Sequence, residues 1–276
     1  MRKKIFYLLL ATCLFNTEAF TQKKAKPGIA FKAADKSRVS VFIVLKDLPK
    51  QRFLFTVPEI FTGRNLKEGL FISDLQPWHI KENKAKRGRK NNLYGYEISL
   101  ELHENETALW LDWIIRFENN SSASLFDLAA FNCLTMNYAP LFQDTAMSRS
   151  WANNQSGKTI LLQDVKKTKG NGRRTMQFYP VIGGIDLANS NWINNWNVTS
   201  PDTLSGNKMW LESADGKWKI ETVVNGQTAY FFNNWEGDHG CIHASPLFAK
   251  EIKAGEKTTA SGSFTFIRNN PALSKP

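Results

Sequence analysis

The sequence predicts an all-β protein, a large antiparallel β-sandwich, and three observations carry that prediction. Apolar residues recur at every second position through several long segments. Asp215-Gly216 and Asn225-Gly226 are two-residue turns of the hairpin type, which need positive φ. No segment of helical length shows a helical apolar period, and no repeat of fixed length is visible. With 276 residues, 42% hydrophobic and 12% aromatic, the chain can bury a sizeable core, which excludes a disordered or collagen-like class. No linker rich in Pro, Gly or Ser divides it, so residues 22–276 are expected to form a single β-sandwich domain.

At the start of the chain, Met1, Arg2, Lys3 and Lys4 precede an apolar run over residues 5–15, and small polar residues come after it. This is the pattern of a secretory signal peptide over residues 1–21, cleaved after Ala19 or Thr21. The run is far shorter than the roughly 20 residues a membrane span needs, so no transmembrane segment is expected. Thr12 before Cys13, with Leu14 and Phe15 after it, makes a poor lipobox, which favours a soluble secreted or periplasmic protein over a lipid-anchored one. Beyond the leader only Cys133 and Cys241 remain. A disulfide and two buried free thiols both stay open, because export permits the first and a large core needs no staple.

Strands are expected over residues 39–45 and 52–57. In residues 94–102, Tyr94, Tyr96, Ile98, Leu100 and Leu102 share one face, and Gly95, Glu97, Ser99 and Glu101 the other. In residues 109–117, Leu109, Leu111, Trp113, Ile115 and Phe117 share a face. Glu106 and Thr107 lie in the short turn between, so these two strands should form an antiparallel hairpin. The two Gly turns predict a three-strand meander further on. Counting back from them aligns Leu211, Ile220 and Phe231 on a core face, beside Met209, Thr222 and Ala229. The opposite face then carries Trp210, Glu221 and Tyr230 in one row and Glu212, Lys219 and Phe232 in the next. Aromatic rings among charges suit a sugar, since a ring stacks on the apolar face of a pyranose while charged groups bond its hydroxyls. A solvated face with a Glu212–Lys219 ion pair explains the same pattern.

The formal net charge of +11 is concentrated in two segments expected to be loops. Lys81, Lys84, Lys86, Arg87, Arg89 and Lys90 make the first, and Lys166, Lys167, Lys169, Arg173 and Arg174 the second. They read either as solvated loop tips or as a surface for a polyanion. For an exported protein an acidic polysaccharide or an anionic membrane surface fits better than nucleic acid, for which no fold signature is present.

The chain has no P-loop, dinucleotide-binding glycine fingerprint, GxSxG elbow or HExxH, and no cofactor is expected. Its densest set of acids, bases and ligands is Trp235, Glu236, Asp238, His239, Cys241 and His243. If Cys241 begins a strand, Cys241 and His243 share one face and Ile242 the other. Asp238, His239 and His243 match no specific metal-ligand spacing, so no metal is expected, and a structural histidine near a strand end remains open. The candidate site is this patch, with His243 and His239 as catalytic residues and Trp210, Glu221, Tyr230, Trp235, Glu236 and Asp238 as binding residues. Chain continuity from the aromatic face into Trp235 brings them together. Asn191, Trp192, Asn194, Asn195, Trp196 and Asn197 form a second polar aromatic cluster, and Trp78-His79 a third, each readable as a sugar platform or as a plug in the sandwich end.

The run Gly240-Cys241-Ile242-His243-Ala244-Ser245-Pro246, then Ile252-Lys253-Ala254-Gly255-Glu256 and a last apolar strand over residues 261–267, resembles the end of galactose mutarotase-like supersandwich proteins. Phe117-Glu118-Asn119-Asn120, with the strand over residues 125–134 after it, is similar to their strand-turn-strand. The resemblance implies a β-supersandwich and a sugar-related role. It also implies two departures: His243 stands where the family's late-strand glutamate base is expected, and Phe131, Asn132 and Cys133 stand at its histidine region. The expectation is therefore an exported carbohydrate-binding protein without nucleic-acid partners, acting on a sugar or a polysaccharide. The alternative is a sugar-active enzyme, an aldose epimerase or polysaccharide lyase, with His243 as acid and base.

Overall fold

The alternating segments become strands wherever one face can be buried. The computed structural model describes residues 28–34, 40–66, 70–71, 76–168, 175–189, 198–236 and 239–269. The leader, Lys169, Arg173, Arg174, the Asn/Trp cluster over residues 191–197 and Asp238 lie outside them. The first half of the chain forms β1 (Ile29–Ala33), β2 (Ser40–Leu45), β3 (Arg52–Thr62), β4 (Leu70–Phe71), β5 (His79–Lys81), β6 (Lys84–Lys90), β7 (Tyr94–Glu104), β8 (Ala108–Asn119) and β9 (Leu125–Thr135). The second half forms β10 (Ser150–Asn154), β11 (Thr159–Leu161), β12 (Met176–Pro180), β13 (Leu204–Glu212), β14 (Trp218–Asn225), β15 (Thr228–Asn234), β16 (Cys241–Ile252) and β17 (Lys257–Arg268). Among the described residues no helix is long and apolar enough to cross a membrane.

Two antiparallel sheets result. The first runs β1-β2-β3-β9-β16-β15-β12, with β4 beside β3, and the second runs β11-β10-β13-β14-β17-β8-β7-β6-β5. The core lies between them, where inner-face rings interlock: Phe55 meets Phe264 at 4.7 Å, Phe53 meets Phe266 at 4.8 Å and Phe61 meets Phe117 at 4.9 Å. The expected β7–β8 hairpin forms, with Tyr96 opposite Phe117, Leu100 opposite Trp113 and the predicted apolar face buried. Gly262 on β17 lies opposite Trp113 and leaves room for its indole.

The expected meander is corrected. Leu211 does pair with Ile220 and Met209 with Thr222. After Asn225-Gly226, however, the chain leaves the second sheet: β14 pairs with β17, while β15 joins the first sheet between β16 and β12. Leu211, Ile220 and Phe231 all face the core, but from opposite sides of it. A turn with Gly226 at φ 110° serves as an arch between sheets as readily as a hairpin.

The first basic segment is also corrected from loop to strand. Residues 84–90 form β6, paired to β7 along its length, with Ala85 and Arg87 buried between exposed neighbours. In the second segment Lys166 pairs with Asp202 at 3.8 Å. Lys167 donates from Nζ to the Leu162, Gln163 and Val165 carbonyls, and its pKa is lowered by burial.

Candidate functional site

On β16 the period of two sends Ile242 and Ala244 into the core and Cys241, His243 and Ser245 to the outer face of the first sheet. Phe131 and Cys133 of β9 and Tyr230 and Phe232 of β15 share that face. It is not open to water. Ile185, Leu187 and Val198 pack over it with Met176 and Phe178 to form a second, smaller apolar cluster.

His243 is 0% exposed. Its ring stacks on Phe131 at 4.1 Å and meets the edge of Phe232 at 4.9 Å. Nε2 lies 3.0 Å from Cys241 Sγ, and Nδ1 is buried without a hydrogen-bond partner among the described residues. Cys133 and Cys241 are both free and buried, which selects two thiols from the alternatives left open by the sequence. The register explains the choice. Cys241 pairs with Thr135 and Ile242 with Leu134, so Cys133 stands opposite His243 and only diagonal to Cys241. Diagonal neighbours stand about 7–8 Å apart, at or beyond the reach of a disulfide. The neighbouring Cys241 thiol and burial push the Cys133 thiol well above its ordinary pKa. One donor atom from each of Cys133, Cys241 and His243 lies within 4.8 Å of the others.

Sequence reasoning missed Glu59. It sits on β3 just after Pro58, where the pairing with β9 shifts register between Thr56 and Ile60. Burial raises its pKa, opposed by attraction to His243 and then to His239. The residue as a whole is nonetheless solvent-exposed. The Pro within a strand pattern is the signal that marks this bulge.

The other predicted site residues divide between two surfaces. Tyr230 is buried on the first sheet, its hydroxyl 3.3 Å from Thr62 Oγ1, and burial pushes its pKa to about 12. Trp235 is buried. Glu236 is half-buried and accepts from the Thr175 N–H at 3.0 Å and hydroxyl at 2.7 Å, a lash holding the start of β12 to the end of β15. His239 is exposed. Trp210 and Glu221 sit on the outer face of the second sheet, directly paired across β13 and β14. Trp210 stacks on Trp151 at 6.3 Å, and Glu221 pairs with Lys219 at 2.7 Å rather than leaving Lys219 to Glu212. The expected row of Trp210, Glu221 and Tyr230 therefore does not exist, because β15 belongs to the other sheet.

A groove of about 710 Å³ lies elsewhere, on the outer face of the second sheet over β6, β7, β8 and β17. Gly88 and Gly95 give it a floor without side chains. Lys86, Arg89, Lys90, Arg116 and Lys257 rim it, against two carboxylates, Glu97 and Glu118. Glu97 pairs with Arg116 at 2.6 Å and Glu118 with Lys90 at 3.0 Å. The hydrogen bond from Lys90 lowers the Glu118 pKa, with Lys257 adding to it. Beneath the rim Arg87 is 2% exposed, bonded to the Tyr96 hydroxyl at 3.2 Å and lying over the Trp78 ring at 5.5 Å. The groove thus holds cationic side chains in excess over anionic ones on a rigid ladder.

The chain is similar to galactose mutarotase-like proteins. The Slr1438 protein from Synechocystis sp. PCC 6803 matches at a TM-score of 0.43 and 9% identity, over 88% of this chain and 97% of that one. A putative aldose 1-epimerase from Escherichia coli K12 matches at 0.42 and 9%, over 88% and 100%. A galactose mutarotase related enzyme from Lactobacillus acidophilus matches at 0.43 and 8%, over 88% and 99%. No protein-family model and no curated protein sequence matches the chain. At this identity no residue role transfers from these structures.

Proposed function

We propose that the protein is an exported carbohydrate-binding protein that holds an acidic polysaccharide in the glycine-floored groove of the second sheet. The observation that carries this reading is the cationic rim of Lys86, Arg89, Lys90, Arg116 and Lys257 around a trough of about 710 Å³. Lysine and arginine on a ladder offer fixed point charges and forked donors to uronate or sulphate groups spaced along a polymer. The open floor lets a sugar ring approach the backbone. Export rests on the leader-like residues 1–21.

Binding of a uronate polymer and of a sulphated polymer, measured by calorimetry at low and at high salt, tests the proposal. Exposed charges are screened over about 8 Å at physiological ionic strength, so affinity should fall steeply with salt. A neutral polymer should bind far more weakly than either. Absence of binding at low salt refutes the reading, as does undiminished binding by the triple variant Lys86→Glu, Arg89→Glu, Lys257→Glu.

One observation favours the second reading, a sugar-active enzyme with His243 as acid and base: the Glu59 carboxyl feels both His243 and His239. Against it, His243 exposes none of its surface. Polarimetry of freshly dissolved aldose anomers decides, since an epimerase accelerates mutarotation and His243→Gln would remove that acceleration.

A further inference from the structure

The second apolar cluster contains three groups that an ordinary core has no use for. Cys133, Cys241 and His243 are all buried, on two neighbouring strands, in an arrangement set by backbone pairing rather than by a loop. Buried thiols alone are common as small apolar fillers. An imidazole held with Nε2 3.0 Å from one of those sulfurs, and one donor atom of each residue within 4.8 Å of the others, is not.

We propose that Cys133, Cys241 and His243 form a site for a thiophilic divalent cation, Zn²⁺ in the first instance. Two thiolates and a neutral imidazole around Zn²⁺ make an electrically neutral complex, which a buried apolar setting tolerates far better than the net negative charge the same ligands would leave around Cu⁺. Zinc–ligand distances of about 2.0–2.3 Å require tetrahedral donors about 3.3–3.8 Å from one another. The observed spacing, from 3.0 Å between His243 Nε2 and Cys241 Sγ to within 4.8 Å for the whole set, brackets that range, so small side-chain rotations suffice. On binding, each thiol forms a bond from sulfur to the metal and gives its proton to solvent. Phe131 and Phe232 fix the plane of the imidazole. Since His243 is fully buried and both cysteines nearly so, the metal enters as the chain folds. The site is on the other sheet from the basic groove and stands or falls independently of the groove's function.

The test uses the full chain with Cys13→Ser, so that the leader contributes no thiol, refolded with Co²⁺ as a spectroscopic substitute. The expected result is one equivalent of bound cobalt with a near-ultraviolet thiolate-to-cobalt charge-transfer band and the intense visible bands of a tetrahedral ion, both abolished by Zn²⁺. Cys133→Ser and Cys241→Ser should each weaken the charge-transfer band, at unchanged far-ultraviolet circular dichroism, and the double variant should lack it. Absence of that band in the refolded parent overturns the proposal, and so does a band that persists in the double variant. Should the serine variants fail to fold, the spectrum of the parent decides alone.

Discussion

His243 Nε2 lies 3.0 Å from the sulfur of Cys241, two residues earlier on the same face of β16. The period of two makes such neighbours on any strand, but here the face they share is closed by a second apolar layer, not by water. A histidine the sequence offers as a surface acid or base is thereby placed among thiols and aromatic rings.

The same relationship predicts the behaviour of the thiols. In the Cys13→Ser chain without reductant, a disulfide-exchange reagent should label neither Cys133 nor Cys241 in the folded state, since both are buried and the Cys133 thiol is held protonated. Unfolding in denaturant and chelator should release both. Recovering no thiol on unfolding would mean a disulfide and would contradict the diagonal placement set by the β9–β16 register.

A second expectation concerns the close approach of β14, β17 and β8. A Cβ on Gly262 would fall 2.1 Å from the Val223 carbonyl oxygen and 2.3 Å from the Trp113 ring, and neither a ladder carbonyl nor an indole at 1% exposure can retreat. Gly262→Ala should therefore destabilise the fold by about 2 kcal/mol or more, read as a lower urea midpoint. Gly216→Ala makes a useful contrast: no atom lies within 4 Å of its added methyl, so its cost comes from φ +68° alone.

A third concerns alkaline stability. Burial raises the Tyr230 pKa from 10.0 to about 12 and pushes that of Tyr179, whose hydroxyl donates to Asn233 Oδ1 at 2.6 Å, higher still. Both are raised above their unfolded value, so the folded state holds its protons more tightly. Their contribution is complete below pH 10 and is lost as pH rises through the folded values. Denaturant midpoints should fall between pH 10 and 12, by on the order of 2 kcal/mol for Tyr230. Tyr230→Phe should flatten part of that decline. A midpoint independent of pH across the window would show that these phenols are not sealed.

How much of this is legible in the sequence depends on whether a residue's neighbours are local. The β7–β8 hairpin is readable because its alternation is strict and its turn short, and burial on one face fixes the register. The Leu211–Ile220 pair is readable for the same reason. The placement of β15, beyond Asn225-Gly226, is not readable, because a core-facing strand shows the same alternation whichever sheet it joins. That one ambiguity carries Tyr230 away from Trp210 and Glu221. Residues 84–90 mislead differently: β6 puts cations on both faces, so the alternation that buries Ala85 and Arg87 is masked by charge. Cys133 and Glu59 are invisible as partners of His243 because they lie on other strands, joined only by pairing between distant segments.

The last prediction turns on Glu118, which sits in the basic groove between Lys90 and Lys257. Its pKa is lowered chiefly by the hydrogen bond from Lys90, so its ion pair is present at neutral pH and is lost as pH falls through that depressed value. Because the carboxylate lines the groove itself, the consequence is read in binding. Protonating Glu118 removes negative charge from the groove and frees Lys90. A sulphate ester keeps its charge in acid, whereas a uronate loses it. Affinity for a sulphated polymer should therefore rise on acidification while affinity for a uronate polymer falls. At neutral pH, Glu118→Gln should tighten both by about two- to five-fold, the range of an exposed charge pair, and should blunt the acid response toward the sulphated polymer. Calorimetry of parent and variant at two pH values reads all of these at once. If Glu118→Gln leaves both affinities unchanged, the polymer does not lie along the floor between Gly88 and Gly95, and the groove is not where the carbohydrate binds.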